Sequence, residues 1–386
     1  MVESRWLRWI GPGIVAIGAL GLVASTTLGA GVQRWLPRAC GGPSSDRITA
    51  ARVANAAGPV GLRSAPWYRL DPVLDSDGAL RGQHLTFGLG SQQTARSLDF
   101  GAEAFAAGPF GGVILAGSDD GAISRLLAID VAKGCAWAVG QERAVIRRAT
   151  LDPAGTFIYE SRVDRADRAD LGIWRRRMEG GAAAVRVLAP PAPDGRFGRT
   201  FATEFTWDLA GDRLAVQSCG EVACRTRVIA PRGGAPMTLE APDLGLLVGL
   251  DGNLVVTYQA CRGLPCPIVA TDLRTGLRRV LAVAAGLATV VPTADGSRLI
   301  DEVRTASGRG LRSVGLDGET TADLGPLPDG LRLQPSPGGA GPTTRLQPGW
   351  VLLAPDGHMP PNGTAEHPQL RHVPDGSTAQ LDEVQR

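Results

Sequence analysis

Lysine is nearly absent from this chain. Lys133 is the only one in 386 residues, so almost every cation is an arginine. A phosphate-cradling Walker A loop needs its lysine after a glycine-rich run, and Lys133 sits in a turn, "VAKG", so that chemistry is excluded. No GxSxG nucleophile elbow, CxxCH haem site or HExxH zinc site occurs. Charge of one sign is also lacking: 40 basic residues face 38 acidic ones, a net of +2. Nucleic-acid binding needs clustered positive charge to displace counterions, so a broad nucleic-acid footprint is excluded. Aromatics make up only 5% of the chain, and helical patterning is missing beyond about residue 60. Plentiful Gly (52) and Pro (28) instead suit many short strands joined by tight turns.

Histidine is scarce too. Of His84, His358, His367 and His372, the last three share "HMPPNGTAEHPQLRH". Their spacing matches no strand or helix face that would converge them on a metal, so we expect solvated loop residues. "DRADRAD" at Asp164–Asp170 places acids every third residue with arginines between, unlike the alternating acids of a calcium loop. We expect a self-neutralised charged tip, and no metal or cofactor.

One apolar run stands out. From Trp9 to Gln33 no residue is charged, and about 20 such residues suffice to span a bilayer as a helix. Arg5 and Arg8 precede it, the cleavage site at Leu28 and Ala30 is poor, Val23 with Ser25 leaves cleavage as the alternative, and Arg38 in "LPRAC" rules out a lipobox. The expectation is an uncleaved signal-anchor over 9–33, a short cytoplasmic stretch over 1–8, and a linker over 34–66. The body follows at 67–380, with a tail at 381–386. The body is expected outside the cytoplasm, at the cell membrane, since long domains translocate largely regardless of the flanking Arg34 and Arg38.

From Trp67 onward the chain repeats. One turn mark opens a strand: "DSDGA" at Asp75, "LDPAG" at Leu151, "WDLAGD" at Trp207, "GLDGN" at Gly249, "PTADGS" at Pro292 and "LAPDGH" at Leu353. A second mark closes the next hairpin seven times, from "GSQQT" at Gly90 to "VPDGS" at Val373. Several spacings lie near the blade-repeat range, and period-2 segments such as "RLAVQS" and "PIVATDL" fill the gaps. The fold class is therefore all-β: a propeller of seven four-stranded blades, with six as the alternative because the first unit is short. Asp208, in "WDLAGD", reads as a turn residue.

The stretch Leu151–Leu188, "LDPAGTFIYESRVDRADRADLGIWRRRMEGGAAAVRVL", resembles the TolB-type, WD40-like propeller repeat of bacterial proteins. The other units match more loosely over roughly 70–380. Within this sequence we find neither the helical domain of the transport-associated TolB protein nor the hydrolase domain of propeller peptidases. The resemblance implies a propeller and no particular activity.

Two CxxxxC stretches, "SCGEVAC" and "ACRGLPC", fall at the same second-to-third strand turn of adjacent units. Cross-strand neighbours lie close enough for a disulfide, so Cys219 should pair with Cys224 and Cys261 with Cys266. A four-thiolate zinc site is the rival, and a redox dithiol lacks the helix N-terminus it needs. A bond between Cys40 and Cys135 is left open, because six cysteines allow fifteen connectivities.

In a propeller the second-to-third turns and the blade-to-blade connections share one face. The decorated loops are assigned there, including "APPAPDGRFGR" and "LPDGLRLQPSPGGAGPTTRLQPG" (Leu327–Gly349). Loops on a rigid scaffold are where binding concentrates. Candidate partner-binding residues are Arg162, Asp164, Arg165, Asp167, Arg168, Asp170, Arg196, Arg199, Glu221, Arg262, His358 and His367; no catalytic residue is assigned. The expectation is a membrane-anchored propeller that binds a protein or cell-envelope component as an accessory or scaffolding subunit. The alternative is a propeller enzyme of lyase or glycosidase type, or a glycan-binding module, using the central channel.

Overall fold

A computed structural model describes residues 66–380, apart from 90–95, 102–103, 111, 132, 180–182, 191–200, 209–211, 220–223, 231–234, 241–242, 261–263, 334–348, 356–368, 374–375 and 377. These residues form strands and turns throughout. None of the described residues is in a helix long and apolar enough to cross a membrane. The expected anchor at 9–33, its flank at 1–8, linker residues 34–65 and the tail at 381–386 lie outside the described residues.

The strands group into seven antiparallel sheets taken in chain order. The first holds β1 (Pro66–Leu74), β2 (Leu80–Leu89) and β3 (Arg96–Gly101). The second holds β4 (Phe105–Phe110), β5 (Val113–Asp119), β6 (Ser124–Asp130) and β7 (Cys135–Glu142). The third holds β8 (Val145–Leu151), β9 (Phe157–Val163), β10 (Asp170–Arg177) and β11 (Val185–Leu188). The fourth holds β12 (Phe201–Trp207), β13 (Leu214–Cys219), β14 (Cys224–Ile229) and β15 (Met237–Glu240). The fifth holds β16 (Leu244–Asp251), β17 (Leu254–Gln259), β18 (Cys266–Asp272) and β19 (Arg278–Ala284). The sixth holds β20 (Ala288–Thr293), β21 (Gly296–Thr305), β22 (Gly308–Gly315) and β23 (Thr321–Pro326). The seventh holds β24 (Leu331–Leu333), β25 (Trp350–Pro355), β26 (Gln369–His372) and β27 (Thr378–Gln380).

Each sheet is hydrophobic on both faces and packs against the next, so a separate core lies between every consecutive pair. Leu115, Leu126 and Trp137 of the second sheet meet Ile146, Leu151 and Ile158 of the third. Tyr159 and Ile173 of the third meet Trp207, Leu214 and Val216 of the fourth. Further cores join the fourth to the fifth, the fifth to the sixth and the sixth to the seventh. Burying each such side chain stabilises the fold by about 1.5–3 kcal/mol. The first strands lie side by side, β4 against β8, β8 against β12, β12 against β16 and β16 against β20. This is a β-propeller, with those strands innermost.

The first unit forms its own three-stranded sheet and does not complete the last one. Its packing explains its shortness. Tyr68, Leu70, Leu85, Phe87 and Phe100 of β1, β2 and β3 pack on Ala106, Ile114 and Ile129 of the second sheet's first three strands. In the third sheet, β9, β10 and β11 take that role against the fourth. The first sheet thus presents the second to fourth positions of a blade, and β3 leads straight into the innermost β4.

Turn chemistry follows the sequence. Asp152 accepts hydrogen bonds from the Thr156 and Phe157 amides (2.6 and 2.8 Å), and Gly155 supplies the positive φ (68°) that closes the turn. One loop assignment is corrected. Leu327–Gly349 was expected as a single blade connection, but β24 interrupts it and pairs with β25. β24 and β25 are therefore the first and second strands of the seventh sheet, and this stretch is not a single connection between blades. A three-residue strand inside a Pro/Gly-rich run carries too little alternation to be read. "LAPDGH" begins within β25, which pairs with β24 as the second strand of its sheet, so this mark does not open a second strand as expected.

Candidate binding face

The face carrying the second-to-third turns is built from strand ends, and its charged side chains are locked rather than loose. Cys219 and Cys224 end β13 and begin β14, directly opposite one another, and form a disulfide with Cα atoms 4.1 Å apart. Closing so short a loop contributes about 2 kcal/mol by chain entropy. Cys135 and Cys266 are also disulfide-bonded. The Cys261–Cys266 and Cys40–Cys135 pairings each include a cysteine outside the described residues. Among the described residues no cluster of three or more His, Cys, Asp or Glu could hold a metal.

The turn after β9 is braced from outside. Arg165 donates from Nη1 and Nη2 to both oxygens of Asp119 (2.7 Å each), at the end of β5 in the preceding sheet. Its Nε donates to the Arg143 carbonyl at 3.0 Å. The Arg165 guanidinium holds the Asp119 carboxyl far below the usual carboxylate range, against the opposing effect of burial. Asp164 and Asp167 cap their own turn, accepting from the Ala166 and Ala169 amides at 2.8 and 2.9 Å. Arg168 takes a positive φ of 60° there.

Arg162 was expected on the face and instead lies beneath it, 5% exposed. Its Nη2 donates to Glu142 at 2.8 Å and its Nε to the fully buried Glu160 at 3.0 Å. Arg176 completes the square, donating from Nη2 to Glu142 at 2.5 Å and to Glu160 at 2.8 Å. Two guanidiniums and two carboxylates thus neutralise one another between the second and third sheets. Burial acts to lower the Arg176 pKa, but Glu160 and Glu142 outweigh it and raise it. Gly140 leaves the space that the Arg176 guanidinium occupies. Arg162 also stacks 4.4 Å above Trp174.

Between the third and fourth sheets, near the same face, lie buried polar atoms without partners. Ser161 and Ser218 hydroxyls, Asp170 Oδ2, and Arg227 Nε and Nη2 are buried with no hydrogen-bond partner among the described residues. Asp170 spends Oδ1 on the Gly172 amide (2.7 Å), and Arg227 spends Nη1 on the Ala189 carbonyl (2.6 Å). Burial pushes the Asp170 carboxyl up, and it pushes the Arg227 guanidinium down.

Of the other candidates, Arg196, Arg199, Glu221, Arg262, His358 and His367 lie outside the described residues. Asp208 sits in the turn on the opposite face, accepting from the Asp212 and Arg213 amides at 2.9 and 3.3 Å. Sequence reading passed over Asp119, Glu142, Glu160, Arg176 and Arg227. The signal available was a charge at a strand position whose alternation points inward, as in "FIYESRV" and "CRTRVI".

Fold and face together define a β-propeller with one braced, charged face. No family model and no curated protein matches the sequence. Solved structures do match the fold. One is a prolyl endopeptidase, with a TM-score of 0.53 and 11% identity over 86% of this chain and 51% of that chain. Another is a puromycin-hydrolysing peptidase of Mycobacterium tuberculosis, with a TM-score of 0.50 and 13% identity over 84% of this chain and 54% of that one. The chain spans about half the length of these peptidases, and at such identity the likeness is one of fold alone.

Proposed function

We propose that this chain is a membrane-anchored, extracytoplasmic, TolB-like propeller of a bacterium. In this reading it binds a protein or cell-envelope component through its turn-bearing face, as an accessory or scaffolding subunit. The carrying observation is that the second-to-third turns of the second, third and fourth sheets are locked: the first two by Arg165 on Asp119, the third by Cys219–Cys224. A rigid surface loses little entropy on association, which favours a docking role for it. The disulfide supports an oxidising compartment, and the uncharged run at 9–33 supports the anchor.

Co-purification from detergent-solubilised membranes tests this. A stoichiometric partner that survives washing and is lost when the turn Asp164–Ala169 is replaced by Gly-Ser is the expected result. A lone chain with saturable turnover of a small substrate would overturn it. The latter outcome is the second reading, a propeller enzyme of lyase or glycosidase type using the central channel.

A further inference from the structure

Unpartnered polar groups cluster between the third and fourth sheets, and what they could hold stands independently of the partner reading. Their placement follows from register. Ser218 lies opposite Arg225 across β13 and β14, and Arg227 follows two residues on, so the three share one face of the fourth sheet. That face also carries Leu214 and Val216, which pack on the third sheet. From the third sheet, Ser161 lies opposite Arg148, and Asp170 lies opposite Val163 two residues beyond Ser161. Trp207 Nε1 donates to Thr150, two residues from Arg148, which fixes this side of the third sheet as the one facing the fourth.

Leu214, Val216, Phe205, Trp207, Tyr159 and Ile173 make a dry floor. Above it lie Ser161, Asp170, Ser218 and Arg227, with Val163 beside Asp170. A buried hydroxyl, carboxylate oxygen or guanidinium edge without a partner costs about 1–3 kcal/mol or more, and one slot here holds four such residues. Arg227 is 7% exposed. Its spare donors, Nε–H and Nη2–H, lie on one edge of the guanidinium, the parallel pair that grips a carboxylate with two bonds. Asp170 feels the charge of Arg227, yet no ion pair closes between them among the described residues. The unspent donors of Arg227 and the unspent Oδ2 of Asp170 suit a molecule that offers acceptors on one side and a donor on the other. Arg225 is engaged by Glu240, and exposed Arg148 stands at the inner rim. The neighbouring Cys219–Cys224 bond stiffens the wall that carries Ser218 and Arg225.

We propose that this slot binds a small organic acid whose carboxylate seats on the Nε–Nη2 edge of Arg227 and whose adjacent hydroxyl or ammonium is held by Asp170. The Ser161 and Ser218 hydroxyls donate to the remaining lone pairs of the carboxylate. No bond is made or broken.

Three near-isosteric probes separate the donors: propionate has none, lactate has a hydroxyl, and alanine has an ammonium. Each is titrated into the full chain by calorimetry. The expected result is that lactate or alanine binds at least about tenfold more tightly than propionate, since a buried bond to a charged group is worth that much. Arg227→Lys keeps the charge and loses the fork, and should weaken all three at least about tenfold. Asp170→Asn should erase the advantage over propionate, and Ser218→Ala should weaken binding a few-fold. If Arg227→Lys fails to melt cooperatively, the other two variants decide. No saturable binding of any probe to the wild-type chain below about 10 mM overturns the proposal. So does binding that Asp170→Asn and Ser218→Ala leave unchanged.

Discussion

Replacing Glu160 by glutamine is the sharpest perturbation this molecule offers, because it removes one charge and almost no volume. Glu160 is fully buried and accepts from Arg162 Nε at 3.0 Å, and from Arg176 Nε and Nη2 at 3.2 and 2.8 Å. Glutamine leaves two guanidiniums sharing Glu142 alone, and its amide NH₂ faces donors. Breaking a buried pair from one side costs about 3–5 kcal/mol, most of it the uncompensated charge. Unfolding entropy near 2.1 cal/mol/K per residue over roughly 300 residues gives about 0.6 kcal/mol per degree, so Tm should fall by about 5–8 °C. Thermal denaturation followed by tryptophan fluorescence reads it, with Trp174 stacked on Arg162 as a local reporter. The control is Glu179→Gln, whose ion pair with Arg177 is exposed and 4.0 Å long, and which should leave Tm unmoved. A Glu160→Gln loss under about 1 kcal/mol would refute the reasoning, since the square would then be solvated rather than desolvated.

Asp119→Asn should destabilise the protein at pH 7 and at pH 5 alike. The folded carboxyl is held below its unfolded value, so its contribution is complete above the unfolded pKa and fades as pH falls through the folded one; the gap between wild type and variant should narrow below about pH 4 in denaturant titrations. Gly140→Ala puts a methyl group into the Arg176 guanidinium and should cost about 1–3 kcal/mol by chemical denaturation. Cys219→Ser with Cys224→Ser should lose about 2 kcal/mol while keeping the fold, seen as an unchanged far-UV spectrum with a lower denaturation midpoint.

How much was legible depended on where each residue's information lay. Short apolar, β-branched runs bounded by turn residues, such as β13 and β17, and turns with Asp-x-x-Gly chemistry could be read locally, and the sheets follow from them. The hairpin disulfide was legible because register makes Cys219 and Cys224 opposite neighbours. β24 was not, since three residues between Gly330 and the Pro-rich run show no period. The braces were not legible either. Arg165 reaches Asp119 across 46 residues and Arg176 reaches Glu142 across 34, distances that only the stacking of sheets brings together. Arg162 looked like a surface charge because it adjoins "DRADRAD"; the strand's alternation turned it inward. The polar cluster needed two sheets at once, and nothing within "CRTRVI" announces that Arg227 leaves Nε and Nη2 unpartnered.

The central claim is that one face of the propeller does the binding. A photo-crosslinking residue placed at exposed Ala166, in the braced turn, is compared with one at exposed Thr275, in a turn on the opposite face. Both are irradiated in intact membranes. If that face does the binding, a discrete, reproducible adduct forms from position 166 and none from position 275. Adducts from position 275 alone, or equally from both, would contradict it.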